Sequence, residues 1–347
     1  MKFRSLLALL LVLALSLALV ACAPAATPNT DNTDSDAGAS SGLNGVLPDD
    51  PTPFEGADVR VAALSGSTGL GMAKLMEDAE TKTTVNNYTF DVFDAPETLL
   101  PEITAKKYDI AALPTNVAAK LYNKTNGQLQ ILAVNTLGVL YLLEIGTQNV
   151  KSVADLSGKT VYTTGQGSTP EYALKYILEK NGVTDCNIVF ETTADLVVSH
   201  AQEGALLMLP EPKVTAVKGQ VQNVTVALDM TAEWNKVCDT PMAQGCVVVT
   251  KDFAEANPRA VNQFLKEYEA SINYVKENVE DASLLVAKFG IIPKAPLAAK
   301  AIPNSNLTFS CGMAMKDMLT PFYQVLFNAD ASSIGGKMPA NDFYYEG

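Results

Sequence analysis

The chain has 347 residues, 48% hydrophobic and 18% charged, with a formal net charge of −13 at pH 7. That acidity works against binding nucleic acid, whose phosphates need basic partners. A single histidine excludes a site built from several histidines, and five cysteines without CxxC spacing argue against zinc.

Lys2 and Arg4 precede an apolar run from Leu6 to Val20, broken only by Ser16. The run is shorter than the roughly 20 residues a membrane helix needs, and reads as a signal peptide over 1–21. It ends in Leu19-Val20-Ala21-Cys22, which resembles the bacterial lipobox. That resemblance implies that Cys22 becomes the N-terminus and carries a lipid. The plainer alternative is a secretory peptide cut near Ala21. Loss of Lys2 and Arg4 would leave a net charge of −15. Residues 22–56 are then the lipidated cysteine and a tether rich in Ala, Pro, Thr, Asp, Ser and Gly, with too little apolar surface to fold.

The body runs from 57 to 347, close to the size at which one core divides into two. Strands are expected at Val59–Leu64, Tyr88–Phe93, Ile110–Leu113, Leu129–Asn135 and Val139–Glu144. Helices are expected at Met72–Ala79, before Lys106 with Pro101 in the first turn, and at Val117–Tyr122. The same grammar then restarts. Strands at Thr160–Thr163, Ile188–Glu191, Ala205–Leu209 and Val224–Asp229 alternate with helices opened by Pro170 and at Leu196–Glu203. Gly245–Thr250 reads as a strand returning to the first half, and the chain beyond Pro258 as mostly helical.

Alternating strands and helices define an α/β protein, and the repeat predicts two similar lobes. One holds 57–147 and 243–347, the other 148–242, with crossings near 144–150 and 240–246. Three stretches carry a resemblance: Asp109-Ile110-Ala111-Ala112-Leu113-Pro114-Thr115-Asn116, Asp155-Leu156-Ser157-Gly158-Lys159-Thr160-Val161, and Gly245 through Phe253. In this order they resemble the type II periplasmic-binding-protein fold, and within it the nitrate/sulfonate/taurine and thiamine-precursor binding group. The resemblance implies a two-lobed clamp with two crossover hinges. It also implies capture of a small solute, delivery to an ABC permease, a monomer, and no cofactor.

Three loops follow strand ends, where ligands of open α/β sheets sit. The first offers Ser67, Thr68 and Gly69 at a helix start. It is no P-loop, because Met72 stands where the lysine belongs, and no GxSxG elbow. The second offers Thr115 and Asn116. The third offers Gly167, Ser168 and Thr169, with Glu171 and Tyr172 in the next helical turn. Glu211, after Leu209, is a candidate partner for a cationic or N–H donor group, or simply a solvated carboxylate. Each loop also reads as an ordinary βα turn, Asn116 as a helix cap and Glu171 as a dipole partner. Tyr172 and Trp234 are candidates to stack on a ring. Arg60 and Arg259, the only arginines after the signal, lie off these loops, so a carboxylate gripped by a bidentate arginine is not expected. The expected ligand is a neutral heterocycle or a sulfonate-like oxyanion. Asn116→Ala should weaken its binding and leave the ligand-free melting temperature nearly unchanged.

Cys238–Cys246 and Cys246–Cys311 disulfides, or free thiols, are all open. An enzyme on the same fold is the alternative, either a thiamine-pyrimidine synthase or a menaquinone-pathway dehydratase. The dispersed cysteines, the lone His200 and the export signal argue against it.

Overall fold

The computed structural model describes residues 52–347. The expected signal segment, Cys22 and the tether up to 51 lie outside the described residues. In chain order the elements are β1 (Asp58–Leu64), α1 (Ala73–Glu80), β2 (Asn87–Phe93), α2 (Pro96–Thr104), β3 (Ile110–Pro114), α3 (Thr115–Lys124), β4 (Leu129–Thr136) and β5 (Leu140–Ile145). They continue with β6 (Thr160–Thr163), α4 (Thr169–Lys180), β7 (Asn187–Phe190), α5 (Ala194–Ser199), β8 (Leu206–Pro210), α6 (Lys213–Gln220), β9 (Val224–Asp229) and α7 (Met230–Asn235). The last are β10 (Gly245–Thr250), α8 (Lys251–Ala256), α9 (Pro258–Glu277), α10 (Val279–Lys288), α11 (Ala295–Ala301), β11 (Leu307–Cys311) and α12 (Gly312–Ala329).

A six-stranded sheet has the order β11-β4-β10-β3-β1-β2, and a five-stranded sheet the order β7-β6-β8-β5-β9. β1 runs parallel to β2 and β3, and β6 parallel to β7 and β8, as helix-linked strands must. β10 returns antiparallel between β3 and β4. Ile110–Leu113 is buried throughout because helices cover both faces of its sheet, which is why it reads as a continuous apolar run.

The packing follows the periodicity. α9 opens on Asn257-Pro258 and buries Val261, Phe264, Leu265, Tyr268, Ile272 and Val275, one face of a 3.6-residue repeat. This face covers Val61, Ile110, Leu132 and Val247 of the six-stranded sheet. At about 1.5–3 kcal/mol per large apolar side chain, such a face outweighs the weak propensity of any one residue. The opposite side is continuous between the two sheets, joining Leu113 and Ile131 to Leu142, Val161 and Trp234, with Phe322 and Tyr323 of α12. The outer face of the five-stranded sheet packs Leu143 and Leu207 on Val214 and Val217 of α6.

Four expectations are corrected. β5 pairs with β8 and β9, so the first crossover is at 137–139 and not at 144–150, and 140–147 goes with the second sheet. The cause is that β4 and β5 are both apolar, and the short Leu137-Gly138-Val139 link looks like a hairpin. β11 was not foreseen in the C-terminal part; it pairs antiparallel with β4. Pro101 lies inside α2, and Pro96 takes the first turn. Residues 52–56, assigned to the tether, lie on the body: Arg259 donates to the Thr52 carbonyl at 2.6 Å and covers the Phe54 ring at 4.8 Å.

Candidate functional site

The loops expected to meet a ligand follow the carboxyl ends of β1, β3, β6 and β8, two in each sheet. Between β1 and α1 the chain turns at Gly66, with φ of 84°, and enters a 3₁₀ turn over Ser67–Met72. Gly69 has to be glycine, because a Cβ there would lie 1.9 Å from the Leu64 carbonyl oxygen. Ser67 is buried. Its hydroxyl is 3.0 Å from the Glu211 carbonyl oxygen and 3.2 Å from Ser305 Oγ. The Thr68 carbonyl accepts from Asn135 Nδ2 at 3.0 Å, and the same amide meets Tyr268 Oη at 2.8 Å. Thr136 donates to Asn135 Oδ1 at 3.0 Å. Asn135, Thr136 and Tyr268 therefore hold the loop from beneath. Sequence reading missed them; the available signal was a polar pair closing the apolar run Ile131–Val134.

Thr115 and Asn116 are both buried at the start of α3. Thr115 Oγ1 donates to the Ala243 carbonyl at 2.5 Å, and its own carbonyl accepts from Tyr323 Oη at 3.0 Å. Asn116 Nδ2 is 3.5 Å from the Ser333 carbonyl oxygen, and Asn116 Oδ1 accepts from Thr169 Oγ1 at 3.2 Å. Thr169 opens α4, so this bond joins a helix of one sheet to a helix of the other.

In the third loop Gly165 and Gly167 have φ of 83° and 72°. Ser168 Oγ turns back to the Gly165 carbonyl at 2.6 Å. The Gly167 N–H donates to Glu171 Oε2 at 2.6 Å, and Lys175 donates to Oε1 of the same carboxylate at 2.5 Å. Glu171 thus takes up an N–H of this loop, which its reading as a dipole partner did not foresee. Tyr172 is buried, and its hydroxyl donates to Asp330 Oδ2 at 2.9 Å. Burial, and then the hydrogen bond to Asp330, pushes that hydroxyl up. Its ring is not an open stacking platform.

Glu211 is 4% exposed. Its carboxylate accepts from Thr215 Oγ1 at 2.9 Å and from the Thr215 N–H at 3.2 Å, capping α6. Burial nevertheless holds the carboxyl above its ordinary value, against those bonds and the charge of Lys218. Tyr141, unforeseen, reaches the Asn304 carbonyl at 2.9 Å, and burial, Asp229 and Glu211 push its hydroxyl up to about 12. The structure therefore makes three separate contacts between the halves: Ser67 to the Glu211 carbonyl, Thr169 to Asn116, and Tyr172 to Asp330.

Other candidates lie elsewhere. Trp234 is fully buried between Tyr176 and Phe322, with Nε1 donating to the Thr240 carbonyl at 2.7 Å. His200 stacks on Tyr162 at 4.0 Å and pairs with Glu191 at 2.7 Å, and none of the candidate loop residues is among these partners. Arg60 grips Asp109 at the amino ends of β1 and β3, through bonds of 2.9 and 2.5 Å. Cys186, Cys238, Cys246 and Cys311 are free thiols, and burial raises that of Cys246. Among the described residues no group of three or more His, Cys, Asp and Glu can hold a metal, and no helix is long and apolar enough to cross a membrane.

Two α/β sheets joined by two crossovers, with strand-end loops meeting between them, define the type II periplasmic-binding-protein fold. Similar solved structures bear this out. An ABC transporter from Parabacteroides distasonis aligns with a TM-score of 0.70 at 20% identity, over 83% of this chain and 98% of that one. The periplasmic aliphatic sulphonate binding protein SsuA from Escherichia coli aligns at 0.66 and 19%, over 80% and 94%. The alkanesulfonate-binding protein SsuA from Xanthomonas axonopodis pv. citri, bound to MOPS, aligns at 0.58 and 13%, over 82% and 96%. The chain belongs to the menaquinone biosynthesis family, whose family model matches residues 72–307. No curated protein matches its sequence.

Proposed function

We propose that this protein is an extracytoplasmic solute-binding protein, anchored by a lipid on Cys22, that closes two lobes on a small molecule and hands it to an ABC permease. The observation that carries the reading is the set of direct bonds between the halves. Ser67 meets Glu211, Thr169 meets Asn116 and Tyr172 meets Asp330. A ligand held by hinge closure is bridged by polar groups of the two halves that face each other, and these are such groups.

The same groups favour one of the two ligand classes. Glu171 already occupies the Gly167 N–H, so an oxyanion at that loop would face a carboxylate, and one at Glu211 would face another. A neutral heterocycle offering N–H donors to Glu211 and accepting from Ser67 or Thr169 fits better.

The second reading is an enzyme of the menaquinone pathway, favoured by the family match. The cleft groups are suited to holding more than to turnover: Ser67 Oγ contacts a backbone carbonyl and another hydroxyl, not a base, and His200 belongs to a separate cluster. Mass spectrometry of the natively purified protein should reveal a co-purifying small molecule that leaves unchanged on denaturation. Chemical conversion of that molecule by the protein would replace this reading with the enzymatic one. Metabolic labelling with a fatty-acid analogue should mark the parent and not Cys22→Ser; label on the serine variant would remove the anchor from the proposal.

A further inference from the structure

Behind the Glu211–Pro212 turn lies a cavity of about 570 Å³, within the size range of small-molecule sites. Its walls come from both halves of the molecule. Pro212 and Ala216 of the β8–α6 corner face Pro293 and Leu297 of the α10–α11 segment. Its rim carries Lys213, Lys294 and Lys300. Lys213 pairs with Asp195, a carboxylate whose side chain is 88% exposed, and surface pairs of this kind hold a lysine weakly. No ion pair to Lys294 or Lys300 is found among the described residues. Glu211, shared with the cleft, also borders the cavity, and its carboxylate accepts two bonds from Thr215.

Three ammonium groups around an apolar floor, on a chain of net charge −13, form a local reversal of sign. An apolar body would be stabilised by the proline and leucine walls, and an anionic head by the lysines. We propose that this cavity is a second binding site, adjoining the cleft at Glu211 but otherwise walled by residues outside it, for a small amphipathic organic anion such as an aryl sulfonate or aryl carboxylate. An occupant touches both halves at once, so it favours the closed arrangement in which those walls face each other. The inference does not rest on the identity of the cleft ligand.

The probe is 5-azidonaphthalene-1-sulfonate with the purified full-length protein. Binding should be saturable and weaken at high salt. Irradiation should label residues within 212–220 and 293–300. Lys294→Ala with Lys300→Ala should weaken binding about tenfold or more, and the Lys294→Arg, Lys300→Arg pair should retain it. The alanine pair should still carry the small molecule that co-purifies with the parent, which separates failure of this site from failure of the cleft. Label concentrated on 65–69, 115–116 or 167–169, equal affinity in the double alanine variant, or no saturable binding would each overturn the proposal.

Discussion

The Thr169 hydroxyl donates to Asn116 Oδ1 across 3.2 Å, and both side chains are at least 97% buried. This bond changes the expectation that Asn116→Ala would leave the ligand-free protein untouched. Alanine there leaves a buried hydroxyl without its acceptor, at a cost of roughly 1–3 kcal/mol. We expect Asn116→Ala to lower the ligand-free melting temperature and to weaken binding of the co-purifying molecule about ten- to a hundredfold. Thr169→Val should do the same to a lesser degree. Calorimetry and thermal unfolding decide it: parental affinity in both variants would move the ligand site away from this pair.

Trp234 is expected to act on stability alone. Its indole fills the core between Tyr176 and Phe322, and Trp234→Ala should cost about 3–5 kcal/mol in denaturant unfolding. In the folded variant the dissociation constant should stay within about threefold of the parent. A collapse of affinity with the fold intact would restore its candidacy to stack on a ring.

Local pattern made most of the fold legible. The runs Val59–Leu64, Thr160–Thr163 and Gly245–Thr250 are strands because branched apolar residues stand between turn-forming segments. Sheet membership is a different matter. β5 is as apolar as β4, and nothing local says that a three-residue link carries the chain from one sheet to another. The loops were legible by their hydroxyls and glycines, but not the partners that occupy them. Glu171 is four residues from Gly167, yet its turn back to that N–H depends on Lys175 and on the loop's left-handed glycines. Ser67 meeting Glu211 spans 144 positions, and only the tertiary fold could supply it.

Glu144 should carry stability that acid removes. It is 2% exposed and accepts from Thr147 Oγ1 at 2.5 Å and from the N–H groups of Asn149 and Val150 at 2.9 and 3.0 Å. Burial alone would raise its carboxyl, but these bonds outweigh it and hold the group below its ordinary value. A depressed carboxyl stabilises the fold above its unfolded value, and the contribution is lost as pH falls through the folded one. Glu144→Ala should therefore cost about 2–4 kcal/mol near pH 7, and visibly less near pH 3. A deficit that does not shrink on acidification would contradict the assignment.

Glu211 should behave in the opposite sense. Burial raises its carboxyl despite the two bonds from Thr215 and the charge of Lys218. A raised carboxyl contributes most when protonated, and the contribution falls as pH climbs from the unfolded value through the folded one. Glutamine keeps the shape, can accept from the Thr215 N–H and can donate to its hydroxyl, and it carries no charge to bury. We expect Glu211→Gln to raise the ligand-free melting temperature at pH 7.5, with the gain disappearing near pH 4, where the parent's own carboxyl takes up its proton. Binding should move the other way. If the ligand presents an N–H donor to Glu211, an amide is a weaker acceptor than a carboxylate, and affinity should fall about tenfold. A residue that stabilises less than its uncharged analogue but binds more tightly is retained for the ligand, as stability is commonly given up at binding sites. Thermal melts at both pH values and calorimetry at pH 7.5 separate the two effects. A variant that melts below the parent at both pH values by the same margin, with affinity unchanged, would make Glu211 a plain cap for α6 and remove it from the site.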